Sequence, residues 1–263
     1  MEEGTNAIGI DPTFVVSAVA EYVEALRSFG AEGPTPPYWF RGHANSDFGL
    51  NPSVFRNHNH QTNEVAMITR FMQDAQSFLA DAPSEKWEWL FLAQHHGVPT
   101  RLLDWSENAL VALYFACERP IVPEGMDPAD GDVWILLPTT LNHATNVWNG
   151  LHPEDLPMFG ITESLNSYHP FTLAVAQQHL LPVAALATRQ FRRITAQWGT
   201  FTIADRSDRL DALPDAKDFL RRIRIPSVAK ETIHSELSYL GIEERVVYPD
   251  LHRLGAKVSR MFK

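Results

Sequence analysis

The sequence has very little cysteine: Cys117 is the single thiol in 263 residues. One thiol cannot form an internal disulfide framework, and it cannot supply a zinc or iron–sulfur site that needs several cysteines. Cys117 ends an apolar segment, where a cysteine more often serves as a small buried side chain than as a nucleophile.

Positive charge is also in deficit, with 22 Lys and Arg residues against 32 Asp and Glu and a formal net charge of -10. A protein that holds nucleic acid by neutralising its phosphates needs the opposite balance. We therefore expect no bulk binding of nucleic acid, while a local basic patch stays open.

Long apolar runs and the common nucleotide-binding glycine motifs are missing. No window approaches the roughly 18 apolar residues of a membrane span, and the acidic start MEEGTNAIGIDP has no basic region followed by an apolar one. We expect a cytoplasmic protein with no membrane partner. Neither GxGxxG nor GxxxxGK[ST] occurs, which disfavours Rossmann and P-loop chemistry.

The spacing of apolar residues predicts a mixture of helices and short strands without regular alternation, which favours an α+β fold over a doubly wound parallel sheet. A proline-rich linker follows the first helix, and residues 139–180 are a candidate insertion with no readable pattern. Ser106 is the expected cap of the helix that contains ALVALYFA. The other predicted helices are residues 13–29, 62–79, 84–96, 189–198, 227–240 and 242–258. The predicted strands are 38–42, 98–105, 132–137, 182–188, 200–203 and 219–225.

Residues 94–106, QHHGVPTRLLDWS, carry the densest polar chemistry in the chain. His95, His96, Arg101 and Asp104 alternate there with apolar residues typical of a buried strand. Such a segment predicts a partly buried polar site, because each polar group needs a partner to offset its desolvation. The pattern alone leaves open whether that site is catalytic or structural.

Arg41 in the segment YWFRGH has two interpretations. An arginine at a strand end can hold a phosphate or carboxylate in a bidentate fork, and Gly42 would let a ligand approach the backbone closely. Alternatively, Arg41 is structural and pairs with an internal carboxylate such as that of Asp104. The sequence favours neither.

The adjacent histidines and the late acidic pair also have alternatives. Neighbouring helical residues point about 100° apart, so His95 and His96 are poor candidates to share a metal ion, and we expect no metal. Each is either an acid–base or wall residue of a site or a satisfied core histidine, and the helix C-terminus favours its protonated form. Glu243 and Glu244 are either a solvated helix start or a source of a catalytic carboxylate.

Four motifs together resemble those of the FRG-domain family, named for a Phe-Arg-Gly that this chain has at residues 40–42. They are YWFRGH (38–43), QHHGVPTRLLDWS (94–106) with ALVALYFA, RITAQWGTFTI (193–203) and GIEERVVYPDL (241–251). The resemblance implies an FRG domain over residues 38–263, with residues 1–37 forming an N-terminal helix and linker packed on the core.

The resemblance further implies a distant similarity to the ADP-ribosyltransferase fold, a small mixed or antiparallel sheet wrapped by several helices. In that fold an aromatic-Arg-Gly strand holds NAD, a later strand ends in serine before a helix, and a third strand supplies a glutamate. The first two features match this chain. The third departs from the pattern, because AQWGTF offers Gln197 and no carboxylate.

On this basis we expect NAD as substrate, a protein or other macromolecular acceptor, and a role as a bacterial toxin or anti-phage effector. Arg41 would bind phosphate or ribose, Trp105 with a histidine would wall the nicotinamide, and Ser106 would orient the ribose. The alternative is a non-catalytic ligand-sensing or protein-interaction module. The predicted catalytic residues are His95, Gln197 and Glu243, and the predicted ligand-binding residues are Arg41, Gly42, His43, His96, Thr100, Arg101, Asp104, Trp105 and Ser106.

Overall fold

The structure is a computed structural model that describes residues 10–30, 37–118, 128–145, 155–173, 180–189, 191–250, 254–255, 258–259 and 262. Its strands are β1 (Phe14–Val15), β2 (Trp39–His43), β3 (Leu102–Ser106), β4 (Gly131–Leu136), β5 (Val183–Ala185), β6 (Gly199–Ile203) and β7 (Leu220–Ile225). Its helices are α1 (Val19–Phe29), α2 (His58–Thr62), α3 (Glu64–Ala75), α4 (Lys86–His95), α5 (Ala109–Ala116), α6 (Pro138–Ala144), α7 (Pro170–Leu173), α8 (Arg192–Ala196), α9 (Ala216–Phe219), α10 (Lys230–Tyr239) and α11 (Glu244–Val247). None of the helices in these ranges has the length and apolar character needed to cross a membrane.

The strands form one seven-stranded sheet in the order β1-β7-β4-β2-β3-β6-β5. The short β1 runs parallel to β7, and every other neighbouring pair is antiparallel. The sheet is therefore mixed, and the α+β class predicted from the sequence is confirmed.

The sheet is split between β2 and β3. These strands share a single register pair, Phe40 with Ser106, whereas β2 and β4 pair from Trp39 to His43 and β3 and β6 pair along the whole of β3. Main-chain groups at the split need other partners, because an unpaired buried peptide group is costly. The split is the place in the sheet where side chains and a ligand can reach between strands.

Apolar side chains cover both faces of the sheet. On one face α1, α5 and α10 pack on Phe40, Val133 and Ile223, and further along the same face the residues around α4 pack on Leu102 and Phe201. Asp104 and Ser106 lie on this face between the two clusters, because side chains alternate along a strand. The opposite face is packed with tryptophans and leucines, among them Trp39, Trp105, Trp134, Leu103 and Leu136.

Helix α5 packs unusually close to the sheet. A β-carbon added to Gly42 would lie 1.9 Å from the carbonyl oxygen of Ala112 and 2.6 Å from the backbone nitrogen of Ala116. Gly131 on β4 has the same constraint, since its added β-carbon would lie 2.2 Å from the carbonyl oxygen of Ala116. The glycine of the Phe-Arg-Gly segment therefore makes room for a helix backbone.

Helix boundaries differ from the predictions where tertiary contacts intervene. The predicted helix 13–29 begins only at Val19, because Phe14 and Val15 pair with β7. The prediction that Ser106 caps α5 is wrong: the Asn108 side chain accepts hydrogen bonds from the backbone of Leu110 and Val111. Asparagine and serine are equally good caps, so the sequence pattern did not distinguish them.

The candidate insertion at residues 139–180 contributes to the core where it is described. Phe159, Leu165 and Tyr168 are buried against the α4 region, and Asn142 of α6 exchanges two hydrogen bonds with Ala184 of β5. Residues 146–154 and 174–179 of this segment, and residues 31–36 of the proline-rich linker, lie outside the described residues. The first helix does pack on the core through Tyr22.

Candidate functional site

A cavity of about 170 Å³ opens at the split between β2 and β3. Residues of both strands line it, together with one residue of α5 and the segment that leads into β6. The lining residues are Phe40, Arg41, Gly42, Asp104, Trp105, Ser106, Phe115, Arg193 and Gln197. Six of the residues predicted from the sequence are thus brought together at one place.

Arg41 bridges the split in the sheet. Its Nη1 donates to the carbonyl oxygen of Asp104 at 2.6 Å and lies 3.7 Å from the Asp104 carboxylate, while its Nε donates to Nε2 of His43 at 2.9 Å. Burial lowers the pKa of Arg41, and the nearby Asp104 partly offsets that effect. Within the described residues, Nη2 of Arg41 makes no hydrogen bond, so one end of the guanidinium remains for a ligand.

His43 holds the side chain of Arg41 in place through a hydrogen bond. It is buried, and its Nδ1 lies 3.1 Å from the carbonyl oxygen of Phe48, so the contacts assign the proton to Nδ1 and leave Nε2 to accept from Arg41. Burial, followed by the charge of Arg41, holds the pKa of His43 well below its usual value. Both ring nitrogens are occupied, and His43 acts here as a neutral partner of Arg41.

Asp104 is held by a short chain of hydrogen bonds. Its Oδ1 accepts from the amide of Gln94 at 2.7 Å, and the other end of that amide accepts from the hydroxyl of Thr100. Thr100 is buried, and its backbone nitrogen donates to the hydroxyl of Ser53. The contact with Gln94 and Thr100 explains why these residues occur together in one motif: they fix the carboxylate at the cavity.

Arg193 is the cationic residue of the cavity that the sequence-based site left out. Its guanidinium lies over the ring of Tyr248, 5.2 Å from the ring centre, and makes no hydrogen bond or ion pair within the described residues. It is one turn before Gln197, a spacing that places both side chains on the same side of α8. The i,i+4 spacing from Gln197, a predicted site residue, is the sequence feature that could have identified Arg193.

The turn from α8 into β6 fixes Gln197 and Ser106. The Ser106 hydroxyl donates to the carbonyl oxygen of Gln197 at 2.6 Å, and the Gln197 amide donates to the carbonyl oxygen of Val247 at 2.9 Å. Trp198 follows with φ of +50°, a left-handed conformation that is uncommon outside glycine. The Ser106 hydroxyl has used its proton within the protein, and it can only accept a hydrogen bond from a ligand.

Arg101 lies away from the cavity. It is buried together with Glu64 of α3, to which it donates from Nε at 3.0 Å and from Nη2, and its Nη1 donates to the carbonyl oxygen of Tyr168. Thr100 also does not line the cavity and reaches it only through Gln94. Sequence reasoning did not identify Glu64 as the partner of Arg101, because 37 residues separate them along the chain.

The remaining predicted residues lie outside the cavity lining. His95 and His96 are exposed at the end of α4 with their rings 4.8 Å apart, and His96 lines a separate, mainly apolar cavity. Partial desolvation of the ring, then the charges of Arg193 and His96, lowers the pKa of His95, which opposes the helix-terminal effect expected from the sequence. Glu243 precedes α11, where its carboxylate lies 3.3 Å from Nε of Arg245.

The fold and the cavity together define the chain as a mixed α+β protein with an arginine-lined polar pocket at a split in its sheet. Among the described side chains, no group of three or more His, Cys, Asp or Glu is arranged to hold a metal ion. Residues 36–124 match the family model of the FRG domain, in agreement with the motifs that lie in that range. No curated protein and no solved structure gave a significant match.

The matched region contains β2, the polar residues 94–106 and α5, but it ends before Arg193 and Gln197. One wall of the cavity therefore belongs to the matched domain segment and the other comes from later in the chain.

Proposed function

We propose that the cavity binds the nicotinamide end of NAD and that the protein cleaves the nicotinamide–ribose bond, passing ADP-ribose to a macromolecule or to water. In a bacterial cell this activity would suit a toxin or an anti-phage effector. The proposal combines the resemblance of the motifs with the chemistry of the pocket, since fold-level similarity alone is a weak guide to function.

The proposal depends mainly on two arginines that have hydrogen-bond donors without a partner among the described residues. Nη2 of Arg41 and the guanidinium of Arg193 have no hydrogen-bond partner within the described residues, and both side chains line the same cavity. Arginine forks match phosphate geometry, and both side chains are half-buried, so their free nitrogens remain accessible to a ligand. The pocket is therefore suited to an anionic ligand.

The other walls suit a flat ring and a ribose. Phe40 and Phe115 supply aromatic surface, which contacts planar rings favourably, whereas the ring of Trp105 packs on the opposite face of the sheet. A volume of about 170 Å³ is below the roughly 300–1,000 Å³ of a site that encloses a whole drug-sized ligand. The cavity would then hold the nicotinamide, its ribose and the adjoining phosphate, with the rest of the dinucleotide lying along the protein surface.

The proposal changes the roles of several predicted residues. Arg41 and Arg193 would hold phosphate, and Ser106 would accept a hydrogen bond from a ribose hydroxyl while keeping the turn at Gln197 in place. Arg101 would stabilise the fold through Glu64, and His43 would orient Arg41. His95 would act at the rim, near Arg193. The charge of Arg193 contributes to the lowered pKa of His95.

A second candidate, a non-catalytic ligand-sensing module, is favoured by one observation. Of the three predicted catalytic residues only Gln197 lines the cavity, and its amide is already bound to the carbonyl oxygen of Val247. A pocket of this kind could bind a nucleotide and signal through conformation, without turnover.

The test is to incubate the purified full chain with NAD labelled in the nicotinamide ring. Binding is measured by calorimetry, and released nicotinamide is measured by chromatography. We expect micromolar to millimolar binding, typical of enzyme substrates, together with nicotinamide release. Binding without release, alone and with a bacterial lysate as acceptor source, would support the sensing module instead.

Arg193→Ala tests the pocket directly, and Arg192→Ala is the matched control. Arg192 is the neighbouring residue, is exposed and does not line the cavity. Loss of one charge-assisted contact with phosphate should weaken NAD binding about tenfold or more in Arg193→Ala, and the control should bind as the wild type does. Absence of NAD binding by the wild-type chain would refute the proposal.

A further inference from the structure

Asp104 brings a carboxylate to the cavity. Among the described residues that line it, Asp104 is the sole acid, and it lies across the split from Arg41. A site that breaks a glycosidic bond needs negative charge close to the sugar carbon that becomes positive. The residues predicted for this role from the sequence, Gln197 and Glu243, do not supply it: Gln197 is neutral, and Glu243 does not line the cavity.

Asp104 is unusually placed for a strand residue. Its side chain is 60% exposed, whereas its neighbours Leu103 and Trp105 on β3 are each 3% exposed. An exposed carboxylate needs no support from the protein, yet Gln94 donates to it and Thr100 donates to Gln94. Gln94 and Thr100 limit its rotation, and the carboxylate faces the cavity in a fixed orientation.

We infer that Asp104 is the catalytic carboxylate of this site and that Gln94, backed by Thr100, is its positioning residue. The inference rests on the proposed function and names the residue that carries out its central step. A fixed charge costs no reorganisation when the transition state forms, which is the main advantage of a preorganised site.

The bond between C1′ of the ribose and the pyridinium nitrogen breaks, and its electron pair stays with the nitrogen, giving neutral nicotinamide. Positive charge moves to C1′ and the ring oxygen, where the carboxylate of Asp104 stabilises it. A water or an acceptor hydroxyl then forms a bond to C1′ and loses a proton to Asp104 and onward to solvent. The net reaction with water converts NAD and water to ADP-ribose, nicotinamide and a proton.

Asp104→Asn is the decisive variant because it keeps the shape of the side chain and an oxygen that can accept from Gln94. We expect nicotinamide release to fall about 100-fold, with the melting temperature unchanged and NAD affinity lowered by no more than about tenfold. Asp74→Asn, a change at an exposed aspartate of α3 that pairs with Arg70, is the matched control and should leave release unchanged.

Two further variants separate the alternatives. Gln94→Leu should lower the turnover number about tenfold with little change in KM, because it frees the carboxylate without removing it. A purely structural role for Gln94 would lower the melting temperature and leave the turnover of the folded fraction unchanged. Glu243→Gln should retain activity; its loss of activity alongside an active Asp104→Asn would overturn the inference.

Binding gives a readout that does not depend on turnover. A carboxylate beside the ring should make wild-type protein prefer NAD, whose ring is cationic, over NADH by about tenfold, and Asp104→Asn should remove that preference. No preference in the wild type, or an unchanged one in the variant, would overturn the assignment of Asp104. A wild-type chain that neither binds nor cleaves NAD would instead refute the proposed function.

Discussion

Replacing Arg101 with methionine should reduce the free energy of unfolding by about 3–5 kcal/mol, because it leaves the carboxylate of Glu64 buried without its counter-ion. The side chains of Arg101 and Glu64 are 8% and 4% exposed, and two hydrogen bonds join them. In a chain of this length such a loss lowers the melting temperature by roughly 10 °C.

The pair between Arg70 and Asp74 is the matched control. It also involves α3, but its side chains are 72% and 55% exposed, so water screens the interaction. Arg70→Met should cost no more than about 0.5 kcal/mol. The comparison isolates burial, since both substitutions remove an arginine that is paired with a carboxylate.

A double-mutant cycle separates the ion pair from loss of packing. Chemical denaturation of Arg101→Met, Glu64→Met and the double variant should give an interaction energy of at least about 2 kcal/mol, because the double variant leaves no unpaired buried charge. Additive effects of the two substitutions would refute the reasoning. A stable Arg101→Met variant that has lost NAD binding would show that Arg101 serves the ligand after all.

Three other predictions concern close packing, pH and capping. Gly42→Ala should destabilise the chain by at least about 2 kcal/mol in denaturant titration because its methyl group would meet the α5 backbone, whereas Gly30→Ala, with its nearest atom at 3.9 Å, should be close to neutral. Burial lowers the pKa of His169 to about 4, below the usual value near 6.5. The folded state therefore resists protonation, and stability present above pH 6.5 should fall by about 3 kcal/mol as the pH drops towards 4; His169→Gln should flatten that dependence, and an unchanged slope would contradict the assignment. Asn108→Ala should cost about 1 kcal/mol and lower the melting temperature, whereas no loss would show that the cap of α5 is dispensable.

Local structure could be predicted where periodicity and turn residues dominate. Patterns within short stretches of chain predict the strands of the Phe-Arg-Gly segment and of residues 132–137. They also predict the helix that ends just before Gly97. The first helix was predicted too long because Phe14 and Val15 are drawn into the sheet by β7, about 200 residues later. Long-range pairing of this kind leaves little trace in a local pattern.

The sequence by itself determined the α+β class, the family motifs and the concentration of polar groups at residues 94–106. Only the tertiary structure decided what each polar group does, because partners distant in the chain choose between equally plausible roles. Arg101 and Asp104 are three residues apart, yet Glu64 holds one in the core while the split between β2 and β3 exposes the other to the cavity. Solvation and contact geometry make that distinction, and both depend on the whole fold.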